Sequence, residues 1–351
     1  MKRSLSITII FFLGFSLKAE AQTYAEKLGW EAGQKLLIMH VDDAGMSYDS
    51  NQGAIQAMEK GIANSVSIMM PCPWAASFVK YAKDHPETDA GLHLTLTSEW
   101  KDYRWHPLSG IPAVPGLVDG EGAMWHTVEQ VATHASPDEV EQEIRQQVER
   151  ALRLGYRPTH LDSHMGTLFA TEEFIRRYVK VGVDYDIPVM IPGGHNTLLR
   201  QGYREQGIRR LREAGKYKEG MEVPLPEAVS KAETVGEMVW KAGLPVLDDL
   251  HTISGDWALP EGKEKNEQNI HELKVQKFKE LFENMRPGVT MVIVHCTDPT
   301  EVFPKISGSG LSRKGDLLAM MDPRLKQYLK DNNIQLTTWR ELKSRRGRLN
   351  K

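Results

Sequence analysis

A chain of 351 residues with 40% hydrophobic and 26% charged side chains has the apolar material for a sizeable core. Its formal net charge of −3 excludes a general electrostatic attraction for nucleic acid or anionic membranes, so a partner must be neutral or be held by specific contacts. The only thiols, Cys72 and Cys296, each close an apolar run, and that position predicts two buried free cysteines even in a compartment that permits disulfides.

Met1-Lys2-Arg3 is positively charged, Ser6 to Leu17 is apolar, and Ala19-Glu20-Ala21 offers small residues for cleavage. Residues 1–21 therefore read as a cleaved signal peptide, its apolar run falling short of the roughly 20 residues that span a bilayer. The expectation is an exported protein, periplasmic or secreted, with no later membrane span. Residues 22–351 show no repeat and no Pro/Ser-rich linker, which predicts a single domain.

Strand-like runs follow at Lys35–Val41, Ser65–Met70, Ala90–Leu96, Pro158–Asp162, Ile187–Ile191, Pro245–Leu250, Val289–His295 and Ile334–Thr338. Between them lie helical patterns. The clearest starts at Ser136-Pro137, carries Val140, Ile144, Val148 and Leu152 at i, i+4 spacing, and stops at Gly155. A second covers about His271 to Met285. Alternating strands and helices imply parallel pairing, closed either as a (β/α) barrel or left as an open doubly wound sheet. Lys101 to His134, rich in Gly, Pro and Trp, reads as a long loop over one face, and the basic stretch Lys343 to Lys351 as a frayed end.

Chemistry gathers where these strands end. Leu36 to Val41 delivers Asp42-Asp43, followed by Gly45, at the end of the barrel or sheet where such folds keep their sites. In Gly91-Leu92-His93-Leu94-Thr95-Leu96-Thr97, alternation puts His93, Thr95 and Thr97 on one face. In Pro158-Thr159-His160-Leu161-Asp162-Ser163-His164, two histidines four residues apart in extended chain lie about 13 Å from each other and cannot easily share one metal. His164, at the strand exit, is the better ligand. Asp162 has the parity to orient a histidine, and His160 reads either as part of the site or as a buried hydrogen-bonded residue. Val289 to Val294 delivers His295. Two histidines and a carboxylate with open positions suit a hydrolytic metal site.

These segments, together with Asn51-x-Gly53-x-x-x-Ala57, resemble the YdjC-like carbohydrate deacetylases, relatives of the polysaccharide deacetylases, in order from about residue 35 to 345. The resemblance implies an irregular (β/α) barrel of seven or eight mostly parallel strands with one divalent ion, Mg²⁺ or Zn²⁺, at its mouth. It assigns Asp43, His93 and His164 as ligands, Asp42 as general base and His295 as acid. The implied reaction is hydrolysis of the N-acetyl group of an amino sugar or oligosaccharide. Two departures, Met165-Gly166-Thr167 after His164 and the lack of an arginine near Ile187–His195, keep the identity of the sugar outside the resemblance. Trp100 and Trp105 read either as faces for sugar rings or as packing for the loop, and Asp249, beside Asp248 and His251, either as lining of the substrate pocket or as a structural cap. A metal-independent glycoside hydrolase would leave the histidines unexplained. An exported sugar-binding protein without catalysis is separated from the enzyme by metal content and acetate release.

Overall fold

The structure, a computed structural model, describes residues 22–349; the leader expected over residues 1–21 lies outside the described residues. Seven strands are present among them: β1 (Lys35–Ala44), β2 (Ser65–Ile68), β3 (Ala90–Leu94), β4 (Leu161–Ser163), β5 (Asp249–His251), β6 (Gly288–Val294) and β7 (Ile334–Leu336). All their pairings are parallel, in the order β4-β3-β2-β1-β6-β5, with β7 also on β1. β1 runs against β6 from Lys35 to Val41, while its other edge is shared by β7 at Lys35–Leu37 and β2 from His40 onward.

The gap between β4 and β5 is filled by segment 187–192, the predicted strand that pairs only through single bridges. Leu161 N–H donates to Pro188 O at 2.8 Å and Met190 N–H to Leu161 O at 2.8 Å; Leu247 N–H donates to Ile191 O at 3.0 Å. Pro188 and Pro192 lack the N–H a longer ladder needs, which explains why pairing here is sparse. With this segment the sheet closes on itself, so the irregular barrel, not the open sheet, is the architecture.

Parity sorts the strand residues into two layers. Leu36 and Ile38 of β1 meet Val289, Met291 and Ile293 of β6 in one apolar cluster with Met190, Leu247 and Trp339. Leu37, Met39 and Val41 belong instead to the large core under the surrounding helices. Continuing the even series along β1 gives His40 and then Asp42, so the barrel interior changes from apolar at its base to polar at its mouth.

Helix Pro137–Arg153 forms as the sequence predicts. Ser136 and Glu139 close a capping box, and Val140, Ile144 and Val148 are buried against the core. Helix Glu267–Asn284 starts four residues before the predicted one because Asn266 caps it. Two expectations are corrected. Strand β3 ends at Leu94, since Gln147 takes the Thr95 backbone at both N–H and C=O. The basic tail is no frayed end: Trp339–Arg348 is a helix, with Arg346 buried and donating to Trp240 O at 2.7 Å. Residues 101–134 are largely the expected loop, carrying two short 3-10 turns and the helix Val128–His134. Cys72 and Cys296 are buried and free. No helix among the described residues is long and apolar enough to cross a membrane.

Candidate metal centre

Two neighbouring residues of a regular strand point to opposite faces, yet Asp42 and Asp43 both face the barrel mouth. A register shift between Val41 and Ala44, with Asp43 at φ 66°, turns the second carboxylate back beside the first. Left-handed backbone is uncommon for a residue with a Cβ, and Asp tolerates it better than most. Gly45, at φ 86°, completes the turn; an added Cβ would sit 2.9 Å from Ala75 Cα. The Asn51 side chain ties it down by accepting from Gly45 N–H at 2.6 Å.

Asp43, His93 and His164 each bring one ligand atom to within 4.8 Å of the others, and all three are buried. Asp43 Oδ1 lies 3.4 Å from His93 Nε2 and 3.4 Å from His164 Nδ1, and no hydrogen-bond donor satisfies it. A buried carboxylate oxygen without a donor, facing two imidazole nitrogens, fits a cation better than it fits any protein group nearby. The far nitrogen of each ring is also accounted for. His93 Nδ1 donates to Asp162 Oδ1 at 2.6 Å, and His164 Nε2 to Glu99 Oε2 at 3.1 Å. Histidine ligands commonly donate the second ring N–H to a carboxylate in this way, which fixes tautomer and ring orientation. The remaining oxygen of Asp43 is held by Arg313 at 2.8 Å.

Electrostatics follow from this crowding. Burial opposes ionisation of Asp43, but Arg313 and the two histidines outweigh it and hold its carboxyl well below the usual range. Burial likewise opposes charge on His164, yet Glu99 and Asp43 push it up to about 9; His93 is raised strongly by Asp42 and Asp162. A cation entering the trio replaces those protons.

Asp42 stands beside the trio with Oδ2 at 3.6 Å from His93 Nε2 and 3.9 Å from His295 Nε2. His295 leaves β6 partly exposed to the cavity, and burial, with Arg313 adding, lowers its pKa. Its approach is set by a close helix contact: a Cβ at Gly53 would come within 2.4 Å of Thr297 Cα, so only glycine lets helix Tyr48–Lys60 pack this near the exit of β6.

The five residues expected at the site are thus brought together. His160 is separate, as its spacing from His164 predicts: it is fully buried, stacked on Trp339 at 5.2 Å. Asp162 takes the orienting role, toward His93. The three substrate-facing expectations give way. Asp249 is 0% exposed and accepts from the backbone N–H of Leu198, Leu199 and Leu250, a cap for helix Thr197–Glu213. Trp105 is buried, donating to Thr97 O, and Trp100 packs on its edge at 5.5 Å. Neither lines the cavity of about 480 Å³ over the site, whose aromatic walls are Phe169 and Tyr203.

Arg313 and Glu99 escape a sequence reading, because no strand end or motif marks them. One faint signal exists for Glu99, a carboxylate six residues after His93 on the same strand exit. Much of the far wall of the cavity comes from the helices between residues 197 and 241, including Leu199, Tyr203, Gln206 and Val229.

Comparison with known proteins agrees with this arrangement. Over 307 residues the chain is 27% identical to the carbohydrate deacetylase of Brevibacillus brevis, covering 87% of this chain and 99% of the relative. A carbohydrate deacetylase of Thermus thermophilus is 34% identical over 48% of this chain and 57% of its own length. The chitooligosaccharide deacetylase of Serratia marcescens is 34% identical over 37% and 49%. A solved structure from Enterococcus faecalis, described as a cellobiose-phosphate cleavage protein, shares the fold with a TM-score of 0.63 at 19% identity, over 88% of this chain and 99% of that one. The family model for YdjC-like proteins matches residues 36–331, most of the chain, and the protein belongs to the YdjC-like family.

Proposed function

We propose that the protein is a metal-dependent carbohydrate deacetylase that hydrolyses the N-acetyl group of an amino sugar or short oligosaccharide. The observation that carries this reading is the buried trio Asp43, His93 and His164, with an orphaned carboxylate oxygen at its centre and both imidazoles oriented from behind. The relatives in the same family that act on acetylated carbohydrates support it.

Asp43 Oδ1, His93 Nε2 and His164 Nδ1 would hold one divalent ion. The donor set is two imidazole nitrogens and one carboxylate oxygen. That favours zinc or a zinc-like ion over magnesium. When bound, such an ion polarises an acetyl carbonyl and makes water more acidic.

The chain's own groups supply the rest. Asp42 Oδ2 faces the cavity and takes the proton of the attacking water, a contribution of roughly 10²–10⁴-fold for a positioned base. His295, 3.9 Å from that oxygen, starts neutral and is placed to carry the proton to the departing amine nitrogen. The net result is water added across the amide C–N bond, releasing acetate and a free amine. Phe169 and Tyr203 offer the rings on which a sugar face can lie. Export through residues 1–21 would place this activity outside the cytoplasm.

Metal content of the purified mature protein, followed by acetate release from N-acetylated mono- and oligosaccharides, tests the reading. One equivalent of divalent ion and acetate release that Asp42→Asn abolishes are expected. A protein that binds no ion, or full activity in that variant, would overturn it.

A further inference from the structure

Beneath the metal trio, the barrel interior holds a charge that the proposed chemistry has not used. His40 is 0% exposed, one turn of strand parity below Asp42. Its Nε2 lies 3.1 Å from Asp42 Oδ1 and 3.0 Å from Asp162 Oδ2, with the Ser67 hydroxyl at 3.1 Å. Its Nδ1 meets the Ser65 hydroxyl at 2.9 Å, and that hydroxyl donates onward to Asp89 O. With the Ser65 hydroxyl turned to that carbonyl, 3.4 Å away, Nδ1 is the donor toward Ser65. Because two carboxylate oxygens converge on Nε2, that nitrogen must carry a proton as well; a bare lone pair there would face two anions. Both ring nitrogens protonated make His40 an imidazolium.

We infer that His40 is a positioning residue for hydrolysis, a buried imidazolium that straps the base Asp42 to Asp162, the carboxylate that orients the ligand His93. The inference rests on the deacetylase reading for the roles of Asp42 and His93, and on geometry alone for the strap. One side chain then sets both the direction of the proton acceptor and the outer support of the metal. Its ion-pair contact falls on Asp42 Oδ1, which no hydrogen-bond donor satisfies, and leaves Oδ2 as the oxygen nearer His93 and His295. The charge count agrees. With a divalent ion bound and the imidazoles of His93 and His164 neutral, the four carboxylates Asp42, Asp43, Asp162 and Glu99 would be balanced by that ion, Arg313 and His40. Burial disfavours the charge on His40, but Asp162 and Asp42 prevail and push its pKa up to about 9. Ser65 and Ser67 on β2 hold the ring in place, and the His160 ring meets its edge at 5.1 Å.

The test uses the mature protein with His40→Leu, His40→Gln, Asp162→Asn and the double variant His40→Gln/Asp162→Asn. Zinc affinity is measured by chelator competition, and kcat and KM by acetate release. His40→Leu should weaken zinc about 10–100-fold, the range seen when outer-shell partners of metal ligands are removed, and lower kcat about 100-fold with little change in KM. His40→Gln keeps an N–H donor and should recover part of both losses. The double variant should bind zinc no more than a few-fold worse than Asp162→Asn, because the two act through one strap. Folded His40 variants with wild-type zinc affinity and kcat, or additive losses in the double variant, would overturn the inference. If His40→Leu fails to fold, the glutamine variant and the cycle decide. A wild-type protein that binds no divalent ion would refute the deacetylase reading itself, a result distinct from failure of the strap.

Discussion

The chain contains two Asp-Asp pairs at strand ends, and they have opposite fates. Asp42-Asp43 follows the apolar part of β1; Asp248-Asp249 opens β5. All four are buried, so burial does not distinguish them. Valence does. Asp248 accepts from Tyr24 N–H at 2.7 Å, Ala25 N–H at 3.0 Å and Val289 N–H at 2.8 Å, and Asp249 from three further backbone amides. Their oxygens are spent on holding the N-terminal segment, β6 and helix Thr197–Glu213. In the first pair, Oδ1 of each aspartate has no hydrogen-bond donor, and the neighbours of Asp43 are two histidines, which can give up a proton to a cation, and Arg313, which stays charged. A buried carboxylate marks chemistry here when its lone pairs are left over.

Substitutions sharpen that contrast. The largest effect is expected for Asp42→Asn, which should lower kcat by about 10²–10⁴-fold while metal content stays near that of the wild type. Asp43→Asn should also abolish acetate release, but with loss of the ion in metal analysis. Equal metal loss in both would mean that the pair works as one ligand set. Next comes Glu99→Gln: removing the carboxylate behind His164 should weaken zinc about 10–100-fold in a chelator titration.

Asp249→Asn should do what neither of these does. It leaves helix-capping amides poorly matched and should cost about 1.5–3 kcal/mol in denaturant unfolding, with kcat of the folded protein little changed. A loss of kcat exceeding the loss of folded protein would break the comparison, placing Asp249 in the chemistry after all.

The smallest effect at neutral pH concerns His251, next to the second pair. Burial lowers its pKa from 6.5 to about 4, the nearby carboxylates not compensating. The unfolded chain therefore binds the extra proton first as pH falls. The stability tied to neutral His251 is complete above pH 6.5 and is lost as pH falls toward about 4, at most about 3 kcal/mol. Urea unfolding of wild type and His251→Asn between pH 7 and 4 should show a steeper acid decline in the wild type. Parallel curves would contradict it.

Much of this is legible in the amino-acid sequence. Strand ends at Asp42, His93, His164 and His295 were visible because hydrophobic runs and their terminating polar residues are local patterns, and chain order in a parallel barrel puts those ends at one mouth. Separating His160 from His164 needed only the rise per residue of extended chain. Asp249 stayed open between pocket and cap for the same reason that Asp42 was found: both are polar residues at a strand boundary, and local sequence is silent on which amides come to meet them. Trp100 and Trp105 stayed open as well, since aromatic residues near a site serve burial as readily as binding.

The sequence by itself determined the alternation of strand and helix, the parallel pairing, and the residues carried to the strand ends, because periodicity and strand termini act over a few residues; closure into a barrel was decided by the bridges of segment 187–192. Only the tertiary structure decided that Asp43 turns inward through a register shift, and that Arg313 from a helix after β6 completes its shell. It alone showed that His40 stands between two carboxylates, and that backbone amides occupy one aspartate pair while leaving the other open. Those outcomes depend on which groups from distant parts of the chain converge on each lone pair, and such convergence is set by packing rather than by local pattern.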